Sequence, residues 1–112
     1  VKFIRSLKTP TICFPRNIDS YKEFTDATKP DVINIDYKID PIEIINNIKI
    51  PVQGGLDPKI LLTNRKNIKI EAQRYLNIFK NHPYIFNLGH GVLPQTNPDM
   101  VEYLINLVKN FR

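Results

Sequence analysis

The stretch IPVQGGLDP, residues 50–58, holds a complete structural unit in nine residues. IPVQG (50–54) reads as a short strand, Gly54 and Gly55 mark a turn at its carboxyl end, and Asp57-Pro58 opens a helix. An aspartate oxygen accepts from the otherwise orphaned amides of a helix's first turn, and a proline at the first helical position sacrifices no hydrogen bond there. The fold depends on whether this unit stands alone or repeats.

It repeats. TICF (11–14), VINID (32–36) and YIFNL (84–88) also read as strands, and Asp40-Pro41 and Asn97-Pro98 repeat the helix-opening pair. Most of these runs are unbroken rather than alternating, which predicts strands buried on both faces, as in a parallel sheet covered by helices. The segment 66–80 carries one apolar stripe, Ile68, Ala72, Tyr75, Leu76 and Phe79, and the last helix carries another, Val101, Leu104, Ile105, Val108 and Phe111. Four strand-helix units predict an α/β fold with right-handed crossovers. Two closures satisfy the pattern: a small open sheet, or half of an eight-stranded barrel, whose usual length is about 250 residues. Val1, Ile4, Arg5, Leu7 and Lys8 read as the tail of an amphipathic helix, so further sequence is expected ahead of Val1.

At 112 residues, with 42% hydrophobic and 24% charged residues, the chain is expected to be one globular piece, 1–112, with no internal boundary. The net charge of +5 is scattered. NRKNIKIEAQR (64–74) and VKFIRSLK (1–8) interleave basic and apolar residues as solvated helix faces do, so no nucleic-acid partner is expected, although the balance suits a small polyanionic substrate. No run reaches the roughly 18 to 20 apolar residues of a membrane span and no leader pattern opens the chain, so no membrane partner and a cytoplasmic setting are expected. Cys13, the single cysteine, lies in the apolar TPTICFP and reads as packing. Without a spaced partner it gives no metal or redox pair, and neither histidine pairs with another ligand at metal spacing, so no metal site is expected.

Whichever closure holds, ligands meet the loops that leave the carboxyl ends of the strands. These are Pro15 and Arg16, Asp36 and Tyr37, Gln53 to Asp57, and Gly89 to Gly91. His90 is the leading candidate, because a glycine on each side allows unusual dihedrals and close approach of a ligand; the competing reading is a turn histidine bonded to backbone. Gly54 and Gly55 can cradle an anion or make the turn. Asp57 reads as a cap, Asp36 as either cap or pocket residue, and Arg16 as solvated or as meeting a carboxylate. His82, ahead of its strand, belongs to the opposite end of the sheet and reads as structural. There is no phosphate-loop Gly-Lys-Ser/Thr and no Gly-x-Ser-x-Gly elbow, which disfavours a nucleotide binder or a serine hydrolase.

VQGGLDP (52–58) and YIFNLGHGVLPQTNPD (84–99), with VINIDYKIDP (32–41) upstream, together resemble the carboxyl-terminal part of the uroporphyrinogen decarboxylase family, and NLGHG-x-x-P is the most specific of these signals. Two places depart from the family pattern. Where it reads like GLDW this chain has Asn34-Ile35-Asp36-Tyr37, and where it usually reads QGNLDP, Gly55 replaces an asparagine.

The resemblance implies a (β/α)8 TIM barrel of which this chain supplies the last four β/α units, a half barrel. It implies removal of the four acetate carboxyl groups of uroporphyrinogen III to give coproporphyrinogen III in haem biosynthesis, with no metal and no organic cofactor. It gives His90 a substrate-binding role, with Asp36, Gly89 and Gly91 as pocket neighbours. The principal arginine and acidic residues are expected upstream, in the missing amino-terminal half of the barrel, and the whole enzyme as a homodimer. The isolated chain is then expected to be inactive. The alternatives are a zinc-dependent corrinoid or folate methyltransferase of the same barrel superfamily, and a non-catalytic half-barrel remnant.

Overall fold

The computed structural model describes residues 2–111. Helix α1 (Lys2–Ser6) falls within the amphipathic run at the start, and Val1 itself lies outside the described residues. Four strands follow, β1 (Ile12–Cys13), β2 (Val32–Ile35), β3 (Val52–Gly54) and β4 (Tyr84–Ile85), all parallel and ordered β1-β2-β3-β4. Helix α2 (Tyr21–Thr28) connects the first pair and α3 (Pro41–Asn47) the second. A 3-10 turn (Pro58–Leu62) and α4 (Arg65–Ile78) connect the third, and α5 (Pro98–Lys109) closes the chain.

Successive strand residues point to opposite faces of a sheet. Ile33, Ile35 and Val52 are fully buried against Tyr21 of α2, Ile44 of α3, Ile48 and Phe79, with Tyr84 packed on the same cluster. Each such aliphatic side chain contributes roughly 1.5–3 kcal/mol through its burial. Tyr84 stacks on Phe79 with ring centroids 4.3 Å apart and donates to the Gly54 carbonyl at 2.7 Å. A second cluster continues it with Leu56, Leu61, Ile68, Ala72, Tyr75 and Leu104, joining α4, α5, Phe86 and Leu88.

The helices therefore cover one face of the sheet, and this corrects the expectation of strands buried on both sides. Ile12 is 52% exposed and Ile85 47%, because each points away from the helical layer. A doubly wound sheet carries helices on both faces and reverses its strand order, whereas a barrel wraps its helices outside strands that follow sequence order. Of the two closures, the structure matches the barrel segment.

The three caps form as the dipeptides predict. Asp40 accepts from Ile42 N at 3.0 Å, Asp57 from Lys59 N at 2.9 Å and Asn97 from Asp99 N at 2.9 Å. Asp57-Pro58, however, opens only the 3-10 turn. The long helix has its own cap, Asn64, accepting from Asn67 N at 2.9 Å. Helix α2 is capped by Ser20. The apolar stripe of α5 is half covered: Val101, Leu104, Ile105 and Val108 line a groove of about 380 Å³ beside β4, with Ile105 46% exposed.

Burial pushes the Tyr75 phenol up to about 12 and raises that of Tyr84 as well. Because the folded values lie above the ordinary one near 10, the stability tied to the two neutral phenols is fully present below about pH 10 and is lost as pH rises through the folded values. An alkaline titration followed by tyrosinate absorbance should show at least two of the five tyrosines ionising only as circular dichroism is lost. Reversible ionisation of all five with the fold intact would contradict this packing.

Candidate functional site

The inner, helix-free face of the sheet carries a different chemistry from the buried one. Asn34, on β2 between Ile33 and Ile35, and Gln53, its register partner on β3, both point to this face. Gln53 Nε2 donates to Asn34 Oδ1 at 2.8 Å. With Phe14, Asn87, His90 and Gly91 they line a groove of about 340 Å³ that runs to the carboxyl ends of the strands.

The loop bearing His90 is held from two sides. Gly89 N donates to Leu56 O at 2.7 Å, extending the β3–β4 pairing past the Leu56–Leu88 bridge. A Cβ on Gly89 would overlap the Tyr37 amide nitrogen and lie 2.9 Å from its Cα, so only glycine lets this loop rest on the turn after β2. A Cβ on Gly91 would meet nothing within 4 Å. Neither glycine has positive φ. Close approach, rather than an unusual dihedral, is the reason for the first, and steric demand gives no reason for the second. Gly54 and Gly55, at φ +91° and +107°, do occupy backbone that side chains resist, which favours their turn-making reading.

His90 is exposed, and its Nδ1 accepts from the Gly91 amide at 2.8 Å. A neutral imidazole has one donor and one acceptor nitrogen. With Nδ1 accepting, the proton resides on Nε2, and the ring offers a donor. The backbone bond expected of a turn histidine and the donor expected of a site histidine are thus two ends of one ring.

The other candidates are placed elsewhere. Asp36 is buried, its Oδ1 accepting from Lys38 N at 3.4 Å and its amide donating to Tyr21 Oη at 2.8 Å. Tyr21 Oη in turn donates to Pro15 O at 3.1 Å, tying the first two loops of the mouth together; burial and the nearby Asp36 charge raise its phenol, and the Asp36 amide hydrogen bond partly offsets this. Asp36 and Gly89 shape the loops and do not line the groove. Lys59 lies 5.8 Å from the Tyr37 ring centroid, bringing a cation to the same end of the sheet. Arg16 is exposed and makes no ion pair among the described residues. His82 Nε2 meets Ile50 O at 2.8 Å, ahead of β3 and β4 and at the far end of the sheet, as its structural reading requires. Among the described residues, no three His, Cys, Asp or Glu side chains come together as a metal set, and no helix is long and apolar enough to cross a membrane.

Sequence reasoning missed Asn34 and Asn87 as groove residues. For Asn34 the available signal was parity: a polar residue between two buried isoleucines of a strand points to the opposite face.

A family model described as uroporphyrinogen decarboxylase matches residues 1–111. The chain belongs to the uroporphyrinogen decarboxylase family. It is 42% identical to the uroporphyrinogen decarboxylase of Rickettsia bellii over 98% of this chain and 34% of that protein. It is also 42% identical to that of Wolbachia pipientis wMel, over 91% of this chain and 30% of the relative, and 40% identical to that of Rickettsia canadensis, over 94% and 32%. The chain thus spans about a third of the length of these relatives.

Within the family pattern, the departure at Gly55 has a steric account. A Cβ there would come within 2.9 Å of Ile35 Cδ1 and 3.1 Å of its Cγ1, so Ile35 fills the space a larger residue at 55 would need. Substituting Gly89→Ala is expected to destabilise the fold by about 1–3 kcal/mol through overpacking against backbone, while Gly91→Ala should lie within about 0.5 kcal/mol of the original. Chemical denaturation of both variants checks this, and equal effects would refute the packing of Gly89 on Tyr37.

Proposed function

We propose that these residues are the carboxyl-terminal four β/α units of a uroporphyrinogen decarboxylase, and that the groove under His90 receives the tetrapyrrole. The observation that carries the reading is the His90 ring, a fixed Nε2–H donor beside a groove on the inner face of a barrel segment, in a chain of this family. A donor at that place suits a substrate whose periphery is made of carboxylates.

The chemistry asks for orientation and charge stabilisation. Protonation of a pyrrole ring carbon turns the ring into an electron sink. The bond between the acetate methylene and its carboxylate then breaks, carbon dioxide leaves, the methylene gains a proton to become a methyl group, and the ring proton is returned. The net change replaces carbon dioxide with a proton at each of four arms. His90 contributes by hydrogen bonding a substrate carboxylate, and the surrounding wall holds the macrocycle in register. The acidic and arginine residues that complete the site belong, on this reading, to the missing part of the barrel, as does the homodimer that the family resemblance suggests. A cytoplasmic setting completes the proposal.

The sheet edges support a missing complement. β1 and β4 are the outer strands, the groove beside β4 is lined by Leu61, Phe86, Leu88 and the α5 stripe, and Phe3 and Leu7 are largely exposed at the other end of the chain. Unpaired edges and bare apolar surface are what a further strand and helix would cover.

The test is to express residues 1–112 alone and together with the part of the Rickettsia bellii enzyme that they do not cover, and to follow porphyrins by fluorescence after oxidation. The complemented protein should convert uroporphyrinogen to coproporphyrinogen and the isolated chain should not. Turnover by the isolated chain, or none by a soluble, folded complemented protein, would refute the proposal. In the active complex, His90→Gln should raise KM by about tenfold, the loss of one hydrogen bond to a charged group; unchanged kinetics would return His90 to a purely structural role.

A further inference from the structure

Asn34 and Gln53 hold a position that the catalytic reading does not use. Asn34 is 5% exposed, yet its partners are few: Oδ1 accepts from Gln53 Nε2 at 2.8 Å, and Nδ2 reaches only the Ile35 carbonyl at 3.4 Å. Gln53 Oε1 has no partner among the described residues. Most other polar side chains around the mouth are engaged locally, Asp36 on Lys38 N, Asp57 on Lys59 N, Asn87 on Leu88 N and His90 on Gly91 N. The two amides bond instead to each other, across the strand register, in the middle of the groove.

Burying an amide costs free energy unless its hydrogen bonds are made. The pair lines the groove with donor capacity to spare, since each amide nitrogen has two donors. After the mutual bond and the long bond to Ile35, one N–H on each amide stays free. Their orientation is set, because Asn34 Oδ1 is taken as an acceptor and so directs Nδ2 to the other side. Asn34 also lies against Gly54, where an added Cβ would be 3.0 Å from its Oδ1. Only a glycine at 54, held at φ +91°, leaves room for it. In the family pattern GLDW, position 34 corresponds to glycine, so the amide pair distinguishes this chain from that pattern.

We propose that Asn34 and Gln53 form an uncharged carboxylate-binding subsite on the inner face of the sheet, taking one arm of a polycarboxylate tetrapyrrole while His90 meets another at the mouth. The assignment rests on the function proposed above. Neutral N–H donors on neighbouring strands can donate to a carboxylate and, unlike a lysine, require no charge to be desolvated in the free protein. Phe14, 41% exposed on the same groove, offers an apolar surface for the macrocycle beside them.

The experiment uses residues 1–112 complemented as above, titrated calorimetrically with coproporphyrinogen under anaerobic reducing conditions, with KM and kcat for uroporphyrinogen measured in parallel. Gln53→Leu and Asn34→Gly should each weaken binding and raise KM by about tenfold, with kcat changed by less than about threefold, as expected for loss of a hydrogen bond made equally in ground and transition states. Gln53→Glu, nearly the same shape, should bind more weakly than Gln53→Leu near neutral pH and recover relative to wild type as the new carboxyl is protonated. If Gln53→Glu binds as tightly as wild type, the pair accepts from pyrrole N–H groups and the proposal is overturned. Binding within twofold of wild type for both Gln53→Leu and Asn34→Gly overturns it too. Asn34→Gly installs the family's own residue, so the test survives should Gln53→Leu fail to fold. Normal decarboxylation with unaffected variants refutes the subsite alone. Binding that responds to the variants without turnover refutes the decarboxylase reading alone, and no binding by the unmutated complex refutes the subsite.

Discussion

The parity of β2 governs the molecule. In Val32–Ile35 the period of two sends Ile33 and Ile35 into the helical layer and Asn34 to the opposite face. The parallel register then carries that division across the sheet, pairing Ile33 with Val52 and Val52 with Tyr84 on one side, and Asn34 with Gln53 and Gln53 with Ile85 on the other. A shift of one residue in β2 would place an amide in the aliphatic core and isoleucines in the groove. The core and the candidate site are therefore one arrangement seen from its two faces.

The mouth is assembled by contacts between loops that are far apart in sequence. Tyr21 Oη bridges the Pro15 carbonyl and the Asp36 amide, which joins the first loop to the second. Gly89 rests on the backbone of Tyr37, which joins the second to the fourth, and its amide bonds to Leu56 beyond the third strand. The hydrogen bonds among these contacts use buried backbone groups whose loss of water has to be offset by a partner, so the loops are held by the same requirement that holds the strands. His90 inherits its orientation from this framework, and the Gly91 amide sets which ring nitrogen carries the proton.

Much of the fold was legible in local signals. The strand positions, the Asp40, Asp57 and Asn97 caps and the stripe Ile68–Phe79 depend on neighbours within a turn or two, where residue type and spacing carry the physics. Legibility failed where a distant partner decided the outcome. The apolar runs predicted cover on both faces, but Ile12 and Ile85 are bare because the helices lie on one side only. Gly89 and Gly91 were read alike from their flanking positions, and only the proximity of Tyr37 separates a glycine that must be there from one that need not.

By itself the sequence determined the repeating strand-helix unit, the starts of α3 and α5, the family, and His90 as the leading site candidate, because each rests on a motif or a short-range periodicity. Only the tertiary structure decided that the strands follow sequence order with helices on one face, that Asn34 and Gln53 bond across two strands, and that His90 lines the groove with them. The strand order and the amide pair depend on contacts across about 19 residues or more, as between Asn34 and Gln53. They are settled by which backbone and side-chain groups the parallel register brings together, and a linear chain fixes that register only when the whole sheet packs at once.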